Sequence, residues 1–179
     1  MEDKELLALI KKEESRQYGF QLLVRKYQKQ VYHHIRRMVI SHEDADDLTQ
    51  ETFVKVWQNI DKFREDAKLY TWIYRIATNE TLRFLDKKKR RWGLPLVNVE
   101  EQLEKLVDNG PYISGDEISR KLQKAMLRLP EKQRLVFQMK YFDDMKYDEI
   151  AEVLGTTVGN LKAAYHWAVK KIEASLKED

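Results

Sequence analysis

Residues that break helices are distributed very unevenly along this sequence of 179 residues. Residues 1–92 contain a single glycine, Gly19, and no proline. Because glycine weakens helices and proline interrupts them, this stretch is best read as a nearly continuous series of helices. The chain as a whole shows no alternating strand pattern of useful length and no fixed-period repeat. We therefore predict an all-α fold.

All three prolines and the other five glycines lie beyond residue 92. The stretch 93–117 is acidic, has few aromatic residues and contains Asn-Gly-Pro at 109–111, which is a turn signal. Helical periodicity returns from Ile118. We therefore predict two small helical domains, residues 1–92 and 118–179, joined by a flexible acidic linker at 93–117.

Composition excludes several classes of protein. The chain has no cysteine, which rules out disulfides and thiolate zinc sites. It has no run of about 18 apolar residues, so we expect no membrane insertion. The first five residues lack the basic region and apolar core of a signal peptide. We therefore expect a cytoplasmic protein that needs no metal or other cofactor.

A predicted helix begins near Ser41 and Asp44, which form an approximate capping box, and one of its faces is apolar. On the opposite face Asp47 and Glu51 lie one helical turn apart. Like charges at this spacing destabilise a helix by roughly 0.2–0.5 kcal/mol, so the pair is better explained by a basic binding partner, with a solvated surface as the alternative. The candidate binding residues, here named the acidic strip, are Asp46, Asp47, Gln50 and Glu51.

The segment 69–79 combines a buried stripe with aromatic, basic and amide side chains, and the basic run 83–91 follows it. Trp72 and Trp57 are expected in the core, since aromatic residues at helical spacing usually pack there. Rings that stack on bases, together with cations that hold phosphates, are typical of sites for single-stranded nucleic acid. We expect Thr78 to project away from the core with the candidate nucleic-acid contacts, which are Tyr70, Thr71, Tyr74, Arg75, Asn79, Arg83, Lys87 and Lys88.

Residues 146–172 have the pattern of a helix-turn-helix. A short amphipathic segment ends at Gly155, and Thr156 or Thr157 can cap a second helix. The second helix of this motif enters the major groove of duplex DNA, whereas a helical hairpin without a nucleic-acid role is the alternative. The candidate duplex-DNA contacts are Thr157, Gly159, Asn160, Lys162, Ala163, His166 and Lys170.

These segments resemble sigma factors of the sigma-70 family. Residues 44–57, DADDLTQETFVKVW, resemble conserved region two of the small, extracytoplasmic-function members, and residues 71–79, TWIYRIATN, resemble the promoter-melting segment that follows it. Residues 129–137, LPEKQRLVF, together with 147–155, YDEIAEVLG, are similar to region four. Two motifs in the expected order are more specific than either alone.

The resemblance implies an alternative sigma factor that binds core RNA polymerase and directs promoter-specific transcription initiation, and that is not an enzyme. The acidic strip would contact the coiled coil of the polymerase's largest subunit. The loop 61–70 with Asn79 would hold an unstacked base of the minus-ten element on the melted non-template strand. The second helix of the helix-turn-helix would bind the minus-thirty-five duplex. The linker would pass toward the polymerase's active-site and RNA-exit channels, and an anti-sigma factor would be a further partner.

The sequence departs from the family's pattern late in the helix-turn-helix. Family members often have several arginines there, whereas this chain has Ala164, Trp167 and Val169. Fewer phosphate contacts are therefore expected from this part of the helix.

Two other functions compete with this interpretation. A stand-alone regulator that binds duplex DNA through residues 146–172 would leave the acidic strip without a role. A metal-dependent hydrolase would use the carboxylates and histidine of 42–47, but only residues three or four apart face the same way on a helix, and no second ligand cluster is present. We therefore retain the stand-alone regulator as the main alternative.

Overall fold

The computed structural model describes residues 1–92, 96–109 and 117–178. Within these ranges every regular element is helical, which confirms the all-α prediction. Short 3-10 turns at Glu13–Ser15 and Ile60–Lys62 interrupt the helical succession. The α-helices are α1 Asp3–Lys11, α2 Arg16–Val39, α3 His42–Asn59, α4 Leu69–Trp92, α5 Leu96–Asn109, α6 Glu117–Leu127, α7 Glu131–Tyr141, α8 Tyr147–Leu154 and α9 Val158–Glu178.

Helices α1 to α4 form the first packed group. Their core is aliphatic and fully enclosed, with Leu23, Ile35 and Ile73 inaccessible to solvent. Burying side chains of this size contributes roughly 1.5–3 kcal/mol each relative to exposure. The predicted cap of α3 is present, since the Ser41 Oγ accepts a hydrogen bond from the Asp44 backbone N–H at 3.3 Å. The cap fixes where α3 begins and therefore which of its faces meets the core.

Helices α6 to α9 form the second group, in which α9 packs against α6, α7 and α8. The apolar side of α9 is formed by Leu161, Ala168 and Ile172, which are buried. Gly155 ends α8 in the left-handed conformation, with φ of 65°. This conformation is accessible to glycine without strain, and it allows the tight turn between α8 and α9.

The linker differs from the expectation of a flexible connection, because α5 is a helix that packs against α6. Leu103 and Val107, one turn apart, are buried against Leu127. Salt bridges join the same helices, from Arg128 to Glu104 at 3.1 Å and from Lys124 to Asp108 at 2.5 Å. This stretch is acidic overall, but its apolar residues recur every three or four positions. This spacing is sufficient for a helix with one buried face.

The two groups are in contact through α4 against α8 and α2 against α7, an arrangement here named the closed contact. The Tyr70 hydroxyl donates a hydrogen bond to Glu149 Oε2 at 2.6 Å. Arg37 forms a salt bridge with Asp143 at 2.6 Å, with its guanidinium 4.7 Å from the ring centroid of Phe142. The contact therefore combines ion pairs, a hydrogen bond and aromatic packing.

Helix α1 approaches α2 most closely at Gly19. A Cβ at this position would lie 2.8 Å from Leu9 Cβ and 3.1 Å from the backbone N of Ile10. These distances leave no room for a methyl group unless α1 moves. The one glycine among residues 1–92 is therefore required by packing.

We expect Gly19→Ala to lower the melting temperature. Overpacking typically costs about 1–3 kcal/mol, which exceeds the gain of about 1 kcal/mol in helix propensity. Gly159 is a matched control because its Cβ would meet nothing within 4 Å. Thermal unfolding followed by circular dichroism should show a lower melting temperature for Gly19→Ala and a slightly higher one for Gly159→Ala. A higher melting temperature for both variants would contradict the close approach.

The pKa of the Glu149 carboxylate is set by its neighbours in the closed contact. Its burial raises the pKa, but hydrogen bonds from the Tyr70 hydroxyl and the Lys146 backbone N–H, together with Lys68 3.4 Å away, have a larger opposite effect. The pKa of Glu149 therefore lies below its ordinary value of 4.5. A carboxylate with a lowered pKa stabilises the folded state above its ordinary pKa, and this contribution is lost as the pH falls through the lowered value.

Tyr70→Phe should therefore make the free energy of unfolding less dependent on pH in the acid range, because the ionised Glu149 loses one donor. Urea unfolding between about pH 3 and pH 6 measures this dependence. Tyr18→Phe serves as the control, since Tyr18 is exposed on α2. An identical pH dependence in Tyr70→Phe and in the parent chain would show that this hydrogen bond does not contribute.

Candidate functional site

The acidic strip lies on the exposed face of α3, and all four of its side chains are accessible. The Gln50 side chain donates a hydrogen bond to Asp46 Oδ2 at 3.3 Å. Within the described ranges, Asp47 and Glu51 form no salt bridge. Their charges are therefore available to a cationic partner.

An apolar groove adjoins the acidic strip, between α2 and α3. It encloses about 470 Å³, and its lining includes Phe20, Val24, Phe53, Val54 and Trp57. The expectation that Trp57 is a core residue is wrong: its side chain is 37% exposed and packs edge to face on Phe20, with ring centroids 4.9 Å apart. Val54 and Trp57 lie three residues apart, and this spacing of two apolar side chains on one side of α3 could have predicted the groove from the sequence. An apolar groove with an acidic edge suits a basic amphipathic helix.

Helix α4 is buried over a wider arc than its apolar stripe predicts. The expectation that Thr71 and Thr78 project outward is wrong, and Tyr74 is only 3% exposed. The Thr78 hydroxyl donates to the Tyr74 carbonyl at 2.7 Å and lies 2.8 Å from His34 Nε2. The reason is that α4 contacts α2, α3 and α8. Thr78 meets His34 of α2, whereas Tyr74 packs in the core of the second group. In this arrangement Thr71 and Tyr74 are inaccessible, and Tyr70 is held by its hydrogen bond to Glu149.

The remaining predicted contacts of α4 lie on its open side. Arg75, Asn79, Arg83 and Lys87 are exposed. Lys88 is half-buried and forms a salt bridge with Asp44 Oδ2 at 2.9 Å, which ties the end of α4 to the start of α3. Lys88 therefore has a structural partner besides any nucleic acid.

A cleft of about 390 Å³ opens between α3 and α4 on this side, here named the α3–α4 cleft. One wall is apolar, formed by Ile76 and by Trp72, which packs on Phe63 with ring centroids 5.1 Å apart. Trp72 is therefore only partly in the core. Asn79 and the loop residue Lys62, which the sequence places far apart, meet here.

The polar side of the α3–α4 cleft contains a group of charges that the sequence did not indicate. Lys55 Nζ and Arg83 Nη1 each lie 2.6 Å from the same oxygen of Glu80. Lys55 and Glu80 are far apart in sequence, and only the packing of α3 on α4 brings them together. With an aromatic wall, an amide and cations at its edge, the cleft has the groups that an unstacked base and its phosphate require.

The helix-turn-helix is present as predicted. The Thr157 hydroxyl accepts a hydrogen bond from the Asn160 backbone N–H at 3.2 Å, so Thr157 is the cap of α9. All seven predicted contacts are exposed: Thr157 as the cap, and the other six along α9 away from its buried stripe. Small residues near the start of α9, Gly159 and Ala163, allow another molecule to approach the helix closely.

The described residues contain no group of three or more histidine, aspartate or glutamate side chains placed to hold a metal ion. None of the described helices is long and apolar enough to cross a membrane.

Comparison with known proteins identifies both parts of the chain. The family model for sigma-70 region 2 matches residues 23–91, and the model for sigma-70 region 4 matches residues 119–172. The ECF RNA polymerase sigma factor SigW of Bacillus subtilis is 33% identical over 170 residues, which are 90% of this chain and 91% of the relative. The ECF RNA polymerase sigma-E factor of Escherichia coli K12 is 33% identical over 166 residues, covering 88% of this chain and 86% of the relative.

Two solved structures share the fold. One is the sigma factor RpoE in complex with the anti-sigma factor NepR from Bartonella quintana, with a TM-score of 0.71, 21% identity and coverage of 89% of this chain and 98% of that one. The other is CnrH in complex with the cytosolic domain of CnrY, with a TM-score of 0.72, 23% identity and coverage of 99% and 98%. At these identities the likeness concerns the fold alone.

Proposed function

Since the chain belongs to the sigma-70 family of RNA polymerase sigma factors, in its extracytoplasmic-function group, we propose a division of labour between its two helical groups. The chain is an alternative sigma factor that directs promoter-specific transcription initiation. Residues 1–92 act as the unit for core polymerase and the minus-ten element, residues 118–179 as the unit for the minus-thirty-five element, and 93–117 as the connection. The match to region 2 leaves the stand-alone regulator without support.

The acidic strip and the apolar groove beside it form one surface for core RNA polymerase. A basic amphipathic helix would place its apolar residues in the groove and its cations against Asp47 and Glu51. The strongest support is that these unpaired carboxylates border exposed apolar side chains, with Val54 being 55% exposed. Unpaired carboxylates or exposed apolar side chains alone are common on protein surfaces. Side by side, they favour a partner that is both basic and apolar.

The α3–α4 cleft is the site for a base of the melted non-template strand. A base that leaves the stack needs an aromatic or apolar wall and a few polar groups that contact its edge. Trp72 and Ile76 supply the wall, and Asn79 supplies an amide that both donates and accepts hydrogen bonds. The cations at its edge, Lys62 and Arg83, would contact the neighbouring phosphates.

The closed contact must open when the chain binds a promoter. The names of the two elements imply a separation of about 25 base pairs, which is about 85 Å of duplex at 3.4 Å per step. A compact chain of this length has a radius of gyration of about 16 Å and so a diameter of only about 40 Å. We propose that the closed arrangement belongs to the free protein and that polymerase holds the two groups apart.

Partners and location follow from this function. One solved neighbour, RpoE of Bartonella quintana, is in complex with the anti-sigma factor NepR, and we include an anti-sigma factor among the partners of this chain. Sigma factors are transcription initiation factors, and we propose no catalytic activity and no cofactor. We propose that the chain acts in the cytoplasm with RNA polymerase.

Charge reversal tests the polymerase surface. Asp47→Arg combined with Glu51→Arg should weaken binding to core polymerase at least tenfold, because two cations would face a cationic partner. Helicity should be unchanged, since both side chains are solvated. The matched control is Glu173→Arg with Glu178→Arg, which has the same change in charge on the last turns of α9, where cations are favourable. Fluorescence anisotropy of the labelled chain measures binding to core polymerase, and only the first variant should lose it. Equal binding by both variants would contradict the proposal that this surface binds polymerase.

Asn79→Ala tests the α3–α4 cleft. Loss of the amide should reduce open-complex formation by roughly tenfold while core binding stays intact, because a base edge loses its polar contact. The control is Gln21→Ala, which removes an exposed amide of α2 outside the cleft. Permanganate reactivity of thymines in the melted region measures opening. Undiminished reactivity with Asn79→Ala would exclude this role for the cleft.

A further inference from the structure

Trp167 is a large apolar side chain that α9 leaves exposed. It is 54% accessible to solvent, whereas the buried side of the same helix is formed by Leu161, Ala168 and Ile172. The Lys170 ammonium lies 5.5 Å from the centroid of its ring. An exposed tryptophan does not stabilise the fold through burial, and large exposed apolar groups often mark interaction sites.

Helix geometry places Trp167 on one flank of the candidate DNA-binding face. Successive residues are about 100° apart around the helix, so Lys170 faces directly away from the buried Leu161, and Trp167 lies about 60° to one side. Asn160 falls on the same flank, within about 20° of Trp167. Ala163 lies between Trp167 and Lys170, and its small side chain leaves the ring accessible.

A flank position points to the wall of the major groove and away from its floor. The groove is about 12 Å wide and a helix with its side chains is about 10–12 Å in diameter. Residues at the centre of the exposed arc therefore meet base edges, and residues on its flanks meet the sugar–phosphate backbone. Indole suits this wall, because its face can pack on deoxyribose and its Nε1–H can donate to a phosphate oxygen.

We propose that Trp167 binds the backbone of the minus-thirty-five duplex, adding a non-ionic contact to a helix that has few cations. This inference rests on the proposed function of α9. The nearby charges are the exposed Lys162, Lys170 and Lys171, opposed by the exposed Glu173. Because a neutral indole displaces no condensed counterion, its contribution to affinity is independent of salt, unlike that of a lysine.

The salt dependence of promoter binding distinguishes a neutral contact by the Trp167 indole from a cationic contact by a lysine. The experiment measures binding of the chain with core polymerase to a promoter duplex at a series of salt concentrations. Trp167→Ala should weaken binding about tenfold at every concentration without changing the logarithmic salt slope. Lys162 lies on the opposite flank of α9, about 80° from Lys170, and is exposed. Lys162→Ala should reduce the slope by about 0.9, the value for one phosphate contact. Trp167→Arg should instead increase the slope by about 0.9 while binding at low salt is retained.

Leu176→Ala is the matched control, because Leu176 is an exposed apolar residue of α9 that lies outside the DNA-facing arc. It should leave affinity and slope unchanged. Promoter binding by Trp167→Ala that equals the parent's, or a loss accompanied by a smaller slope, overturns the proposal. So does a loss of core-polymerase binding in this variant, which would mean that the ring contacts protein.

The outcomes distinguish a failure of the inference about Trp167 from a failure of the proposed function of α9. If Lys162→Ala alters the slope and Trp167→Ala has no effect, only the inference about Trp167 is wrong. If neither variant alters promoter binding, α9 does not contact the duplex and the proposed function of this helix is wrong as well. Circular dichroism of each variant establishes that α9 is still folded before binding is compared.

Discussion

The packing of α4 on two sides is the constraint on which the rest of the structure depends. This helix contacts α2 and α3 in its own group and α8 in the other. A helix buried on two sides has little surface left for polar residues, and a buried hydroxyl costs free energy unless it finds a partner within the protein. Thr78 and Thr81 donate to backbone carbonyls one turn earlier, at 2.7 and 2.8 Å, whereas Thr71 Oγ1 is buried without a partner among the described residues. The open side is consequently narrow, and it is there that Asn79 and Arg83 line the α3–α4 cleft.

Features that depend on one helix at a time could be predicted from the sequence. The cap of α3 at Ser41, the stop of α8 at Gly155 and the exposed contacts of α9 all follow from spacings of three or four residues. The same holds for the acidic strip, which is exposed because the apolar residues of α3 lie on its other face. Local rules are sufficient here since each of these residues interacts with its own helix or with solvent.

Features that depend on how helices meet could not be predicted. An apolar stripe shows that a helix packs against something, but it does not show how many neighbours it has. For this reason the burial of Thr71, and of Tyr74 against Ile150 and Val153 of α8, was missed. The pairing of Lys55 with Glu80 across α3 and α4 was missed for the same reason. Trp57 was assigned to the core because its type favours burial, whereas the groove beside it leaves one edge of the ring uncovered.

The closed contact is suited to opening because its polar groups are incompletely satisfied. Arg37 Nε, Gln138 Oε1 and Asp143 Oδ2 are buried there without a hydrogen-bond partner among the described residues, although Asp143 Oδ2 lies 3.5 Å from His34 Nδ1. A buried polar atom without a partner typically costs about 1–3 kcal/mol, so these atoms lower the stability of the closed contact.

An interface of this kind is specific, since its charges must align, and each buried group without a partner lowers the stability of the closed arrangement. If the closed arrangement belongs to the free protein, as we propose, the contacts made with polymerase and promoter DNA would supply the energy required to separate the two groups.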